Sequence, residues 1–271
     1  LATGTRWFRP LPNVAVVLEL LAPRACFVYL VRNYLWVKST LVVWEIDLGY
    51  SKSCPLGGQI THEHHGQYVV STFFLHPLKY VADFVHDYFV NKKQVQKILE
   101  DTGYISQFNA DWGKQTDEQC PNQYCHYGDL VMDTILDILT PKLSKLTKLD
   151  LSPTYSYARI YNRGAILHKH SDRYSCEVST TLNLGGSEVW PIWLTDTKGK
   201  DIEIKLEPSD MLIYSGCELE HWRDEFRGDS CVQVFLHYND KSHKEWEDNK
   251  FDGRLCLGLP AKFKGVKFKV N

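Results

Sequence analysis

His170-Ser171-Asp172, with His221 far downstream, supplies two imidazoles and one carboxylate, side-chain types that bind a divalent transition metal. Three such donors can cover one face of an octahedral metal and leave the other face open, an arrangement suited to Fe(II) and dioxygen. On an extended strand, residues i and i+2 point to the same side, so His170 and Asp172 are predicted to converge. The third ligand must come from a strand near in space and distant in sequence, and His221 is the candidate. His168 shares the parity of His170 and Asp172. The same segment therefore also admits a zinc-dependent hydrolase built on His168, His170 and His221.

The elements that must position these residues read as short strands. Residues 155–161 alternate in a strand-like way and end at the bend Asn162-Arg163-Gly164. Residues 165–167 lead into the histidine segment, and residues 177–184 form a β-rich run closed by Gly185-Gly186. Residues 202–206, the turn Glu207-Pro208-Ser209-Asp210, residues 211–214, the segment at His221 and residues 231–238 follow. Short strands punctuated by turns at such intervals predict a sandwich or barrel. Tyr157, Arg159 and Tyr161 share one parity and are predicted to face inward together.

The order Tyr157-x-Arg159-x-Tyr161, His168-x-His170-x-Asp172-Arg173, Thr180-Thr181-Leu182-Asn183-Leu184, Trp190-Pro191-Ile192, Pro208-x-Asp210-Met211-Leu212-Ile213-Tyr214-Ser215-Gly216 and Glu220-His221-Trp222-Arg223 resembles a known family. It is similar to the Fe(II)/2-oxoglutarate-dependent dioxygenases, in their prolyl-4-hydroxylase-like branch. The resemblance covers roughly residues 125–240, and residues 251–260 are similar to the tail of such proteins. It implies a mainly β chain with flanking helices (α+β), whose core is a double-stranded β-helix, or jelly roll. It implies oxidative decarboxylation of 2-oxoglutarate to succinate and CO2, coupled to hydroxylation of a C–H bond. Fe(II), 2-oxoglutarate and O2 are the implied cofactors, with ascorbate as an accessory reductant.

The resemblance assigns metal binding to His170, Asp172 and His221, and leaves His168 beside them or hydrogen-bonded in the core. It makes Tyr157 and Tyr161 hydroxyl donors to the co-substrate, and Arg159 a contact to co-substrate or substrate. Peptidyl proline is the substrate class it points to first; another protein side chain or a small metabolite stays open.

One family feature is missing. An Arg or Lys that pairs with the far carboxylate of 2-oxoglutarate is expected about ten residues past the second histidine, but Asp229-Ser230-Cys231 holds no cation. Arg223 and Arg227 are the nearest candidates, and a planar guanidinium suits bidentate pairing with a carboxylate. If the chain stays extended, Arg223 lies on the same side as His221 and one pleat deeper, so it ranks first. Arg227 sits beside Gly228 in the expected hairpin turn. The missing cation also favours a rival, a cupin-like module that binds a metal or a sugar without turnover.

The chain has 271 residues, enough to bury a sizeable core, and 44% of them are hydrophobic and 24% charged, which is ordinary for a globular protein. A net charge of −2 provides no global field for nucleic acid or an anionic membrane, so neither partner is expected. Oligomeric state is left open. The domain-like region is placed at residues 71–260, with the jelly-roll core at about 153–240, after an N-terminal extension (1–70) and before a basic tail (261–271). Apolar stretches in residues 1–50 are interrupted by Glu19, Arg24, Arg32 and Lys38, short of the roughly 18 uninterrupted apolar residues of a membrane span. The basic tail is expected to be an exposed edge strand.

The eight cysteines are scattered, which favours reduced thiols and a cytoplasmic location over a disulfide framework. Cys120, Cys125 and His126 could begin a zinc site if His62, His64 or His65 completed it. Helices are predicted over residues 77–99, stopping near Gly103, and over 129–139, ending at Thr140-Pro141 with a further turn or two over 142–149. Their apolar stripes are expected to cover the outer face of the larger sheet. Residues 109–127 are long for a connection, which suggests a substrate lid.

Overall fold

The computed structural model describes residues 71–74 and 79–265, with backbone alone for 71–74 and Lys79. The sequence readings on residues 1–70, including His62, His64, His65, Cys26 and Cys54, lie outside the described residues. In chain order the elements are β1 (Ser71–Phe74), α1 (Lys79–Asp101), β2 (Tyr124–Tyr127), α2 (Leu130–Thr147), β3 (Leu151–Asn162) and β4 (Leu167–His170). They continue with β5 (Val178–Gly186), β6 (Ile192–Thr195), β7 (Asp201–Ile204), β8 (Asp210–Ser215), β9 (His221–Arg223) and β10 (Ser230–Asp240). A short helix α3 (Trp246–Asn249) and the pair β11 (Cys256–Leu257) and β12 (Lys262–Phe263) follow.

The strands form a six-stranded sheet ordered β1-β8-β5-β10-β3-β2 and a four-stranded sheet ordered β4-β9-β6-β7. From β3 onward the chain passes to and fro between the two sheets and reverses within the smaller one at the β6–β7 hairpin. Among the described residues all pairings in these two sheets are antiparallel. This is a double-stranded β-helix, mainly β with flanking helices.

Period-two alternation sorts the larger sheet into an outer and an inner face. On β10, Val232, Val234, Leu236 and Tyr238 pack outward with Phe89 of α1 and Met132, Leu136 and Leu139 of α2 in one apolar core. Phe235 and His237 of the same strand face the inner cavity. On β3, Ala158 and Ile160 join the outer core, while Tyr155, Tyr157, Arg159 and Tyr161 face inward. Nearly all of β5 is buried, since it lies between β8 and β10 in the sheet and α1 packs against it.

Asp129 caps α2 by accepting from the N–H groups of Val131 and Met132. The helix then runs through Pro141 to Thr147, rather than breaking at Thr140-Pro141. Leu143 continues the buried stripe of Leu136 and Leu139, so tertiary burial outweighs the roughly 3 kcal/mol cost of an interior proline. The segment expected to be a continuous linker over 109–127 contains β2, which pairs Tyr124 with Ile160 and Tyr127 with Tyr157 at the sheet edge. Lys262 and Phe263 pair with Leu257 and Cys256 in a two-stranded ladder. Among the described residues no helix is long and apolar enough to cross a membrane.

Candidate metal centre

His170, the last residue of β4, stands opposite His221, the first of β9, and their ring centroids are 4.3 Å apart. Asp172 Oδ1 lies 3.6 Å from His170 Nε2 and 3.7 Å from His221 Nε2. The three donor atoms fall within the reach of one cation.

The local route to this convergence differs from simple alternation. The β4–β9 register shifts between Leu167 and His170, so Leu167 faces Arg223 and His170 faces His221 although they are three residues apart. An inserted residue of this kind reverses the parity of what precedes it. His168 is therefore exposed and outside the donor group, which removes it as a ligand in the hydrolase alternative. Asp172 lies past the end of β4. Its N–H donates to Gly216 O at 2.8 Å, and Ser179 Oγ donates to its Oδ2 at 2.9 Å. A Cβ on Gly216 would sit inside contact distance of Ser179 Oγ and Cys176 O, and 2.5 Å from Asp172 Oδ2. The glycine is the space into which the carboxylate fits.

The imidazoles are held in one tautomer. His170 Nδ1 donates to His168 O at 2.7 Å and His221 Nδ1 donates to Leu219 O at 2.9 Å. A carbonyl only accepts, so each Nδ1 carries the proton and each Nε2 offers a lone pair. Burial lowers the pKa of His221 against the opposing pull of the Asp172 carboxylate, which favours the neutral, metal-binding ring. Two Nε2 lone pairs, one carboxylate and an open side toward the cavity fit the facial set of an Fe(II) centre.

The centre opens into a cavity of about 400 Å³, walled by Tyr155, Tyr157, Arg159 and Tyr161 of β3, Ile192 of β6, Tyr214 of β8, and Phe235 and His237 of β10. Burial pushes the Tyr214 phenol well above its usual pKa and lowers His237 to about 4, so both face the cavity uncharged. Asp117 and Gln119, in the loop after α1, close one side. Asp117 Oδ2 accepts from Tyr157 OH at 2.6 Å, from Arg159 Nε at 3.0 Å and from Arg159 Nη2. Burial opposes ionisation of Asp117, but the Arg159 charge and the hydrogen bonds from Tyr157 and Cys120 outweigh it and hold its pKa below the usual value. Gln119 accepts from Arg159 Nη2 at 3.0 Å and donates to His170 Nε2 at 3.0 Å. Arg159 Nη1 donates to Tyr161 OH at 2.9 Å. Tyr157, Arg159 and Tyr161 thus face the cavity with their polar groups bonded to one another and to this loop. No motif in the sequence marks Asp117 or Gln119; the length and polarity of their segment are its one signal.

The two candidate anchors separate. Arg223, next inward on β9, is 1% exposed. Its Nη1 donates to Trp190 O, its Nη2 lies 3.5 Å from Thr181 Oγ1 and 3.4 Å from Gln233 Oε1, and its Nε has no partner. Among the described residues no acidic side chain forms an ion pair with it. Burial lowers its pKa, while the nearby Cys231, Tyr161 and Tyr214 side chains oppose that. Arg227 stands elsewhere: it is exposed, on an outer groove with Glu188, Glu203 and Trp193. β9 ends at Arg223, and the following turn carries Arg227 away from the metal side.

Of the tryptophans near the motif, Trp190 is buried over the Arg223 guanidinium, whereas Trp193 and Trp222 stack on each other at 6.0 Å. None of the three lines the main cavity. Cys120 Sγ donates to Ile166 O and His126 bonds Asp129, and no metal-binding group among the described residues includes them with Cys125. All six cysteines of the described residues are free thiols.

No family model and no curated protein sequence matches the chain. Solved structures do. A prolyl-4-hydroxylase from Pseudomonas putida is 11% identical over 64% of this chain and 94% of its own, with a TM-score of 0.45. The viral collagen prolyl hydroxylase of Paramecium Bursaria Chlorella virus-1, solved with 2-oxoglutarate, is 12% identical over 64% of this chain and 96% of its own, with a TM-score of 0.42. HygX from Streptomyces hygroscopicus, with nickel and 2-oxoglutarate bound, is 12% identical over 57% of this chain and 81% of its own, with a TM-score of 0.39. The solved structures to which this chain is similar thus include 2-oxoglutarate–Fe(II) oxygenases, prolyl-4-hydroxylases among them.

Proposed function

We propose that this chain is an Fe(II)/2-oxoglutarate-dependent dioxygenase that hydroxylates a C–H bond and converts 2-oxoglutarate to succinate and CO2. The observation that carries the reading is the buried Arg223 guanidinium, which pairs with no carboxylate among the described residues and lies one pleat inward from His221 on the same strand. An enclosed cation is costly unless an anion pairs with it. A dicarboxylic acid that meets the metal at its keto-acid end can bring its far carboxylate to Arg223.

His170, Asp172 and His221 would hold the Fe(II), which supplies the activation of O2 when bound. The chain's own residues do the rest. Arg223 orients the co-substrate by pairing with its far carboxylate, with Thr181 and Gln233 beside it. Tyr161 and Tyr214 are cavity walls close to Arg223. The bonds from Arg159 to Asp117 and Gln119 tie the loop after α1 to the cavity wall, which would limit water and position what enters. Peptidyl proline is the substrate class to test first, with other side chains and small molecules after it.

The test is succinate release from 2-oxoglutarate by the full chain with Fe(II), O2 and ascorbate, against proline-containing peptides and a small-molecule panel. Succinate that rises with one substrate supports the reading. A protein that binds metal but forms no succinate with or without substrates is the cupin-like module instead, and Arg223 would then have no anion to meet.

A further inference from the structure

We propose that the chain has a second metal site, thiolate-containing and selective for zinc, which shares Asp172 with the first. It rests on donor geometry and does not need the oxygenase reading. A carboxylate oxygen of Asp172, Cys176 Sγ and a ring nitrogen of His237 lie within 4.8 Å of one another. Cys176 is 2% and His237 6% exposed, and both line the cavity wall next to the first centre.

The hydrogen bonds set where the protons sit on these residues. Ser179 Oγ lies 2.9 Å from Asp172 Oδ2, 3.0 Å from Cys176 O and 3.0 Å from His237 Nδ1. The charged carboxylate is the strongest acceptor of the three, so the single serine proton goes to Asp172 Oδ2. With that proton on the Asp172 side, His237 Nδ1 donates to the serine oxygen, and Nε2 keeps its lone pair. His237 is thus held like His170 and His221, by an oxygen partner on Nδ1. Cys176 Sγ and Tyr155 OH are 2.9 Å apart and either can donate; once the thiol proton has left, the phenol is the donor to the sulfur. One sulfur, one nitrogen and one oxygen donor, with a fourth position open to the cavity, suit tetrahedral zinc. The thiolate sets this site apart from the nitrogen and oxygen donors of the first. Binding exchanges the thiol proton for the metal: Cys176–SH and M²⁺ give Cys176–S–M⁺ and H⁺.

Anaerobic titration of the full chain with Co(II), a spectroscopic stand-in for zinc, tests the site. Two equivalents should bind, with a sulfur-to-cobalt charge-transfer band in the near ultraviolet that Zn(II) removes. Cys176→Ser should lose the band and keep one equivalent. His237→Asn should weaken the second equivalent at least tenfold, and His221→Ala should retain the band. A single equivalent without the band, a band unchanged in Cys176→Ser, or a band lost in His221→Ala would each overturn the proposal.

Discussion

His170 and His221 are direct cross-strand partners, and their facing rings place two Nε2 atoms beside one carboxylate oxygen. Both histidines belong to the four-stranded sheet, but the carboxylate does not hang from that sheet alone. Asp172 is held by Ser179 of β5 and by Gly216 just after β8, both from the six-stranded side. The centre is therefore a tie between the two sheets, and its geometry depends on how closely they approach.

Gly216→Ala tests that dependence. Gly216 has no left-handed backbone, so the cost of alanine is one of space, against Cys176 O, Ser179 Oγ and Asp172 Oδ2. Overpacking of this kind costs about 1–3 kcal/mol. Displacing the carboxylate should also weaken Fe(II) or Co(II) binding about 10- to 100-fold, the scale seen when support of a ligand is lost. Calorimetric unfolding and metal titration read the two effects separately. A lower melting temperature with unchanged metal affinity would mean that Gly216 serves packing and not the placement of Asp172.

Arg223→Met separates an anchor from a structural cation. Without ligand, replacing an unpaired buried charge with an apolar chain of similar length should leave stability unchanged or raise it by about 1–4 kcal/mol. Loss of a buried charge pair with the co-substrate should cost about 2–5 kcal/mol. That is roughly 30-fold or more in 2-oxoglutarate affinity, at about 1.4 kcal/mol per decade. Thermal unfolding with increasing 2-oxoglutarate in the presence of metal measures both, since a ligand of the folded state raises the melting temperature. If the variant is stabilised by 2-oxoglutarate as much as the parent, Arg223 is not the anchor.

These expectations were readable in the sequence to different depths. Arg223 and His221 share a short extended segment, and alternation along one strand is a local property. The strands of the roll were legible for the same reason, through period-two runs ended by turn residues. The bulge in β4 was not, because a register shift exists only relative to the partner strand, and alternation alone turns His168 inward. Sequence proximity brings Arg227 toward the metal, but it carries no information on the direction of a turn. Asp117 and Gln119 escaped because their meaning lies in Arg159 and His170, on strands reached only after β2 and α2. Pro141 reads as a stop locally, and only the buried face of α2 against β3 and β10 shows why the helix continues.

Asp129 is expected to set the acid limit of the helical layer. It is fully buried: Oδ1 caps α2, while Oδ2 accepts from Lys92 Nζ at 2.6 Å, Tyr88 OH at 2.8 Å and His126 Nδ1 at 3.1 Å. Burial opposes its ionisation, but the hydrogen bonds from His126 and Lys92 and the Lys92 charge win and hold the carboxyl far below its usual pKa. A depressed carboxyl contributes stability that is fully present above its unfolded value of about 3.9 and fades as pH falls toward the folded value. Each pH unit in that window removes about 1.4 kcal/mol for the one extra proton the unfolded state binds. Asp129→Asn keeps a capping side chain, removes the charge, and should cost about 3–5 kcal/mol near neutral pH by stranding Lys92. Urea unfolding of both proteins at neutral pH and near pH 3 gives the comparison, with the gap between them narrowing in acid. A gap of equal size at both pH values would show that the Asp129 charge does not link α1 to α2.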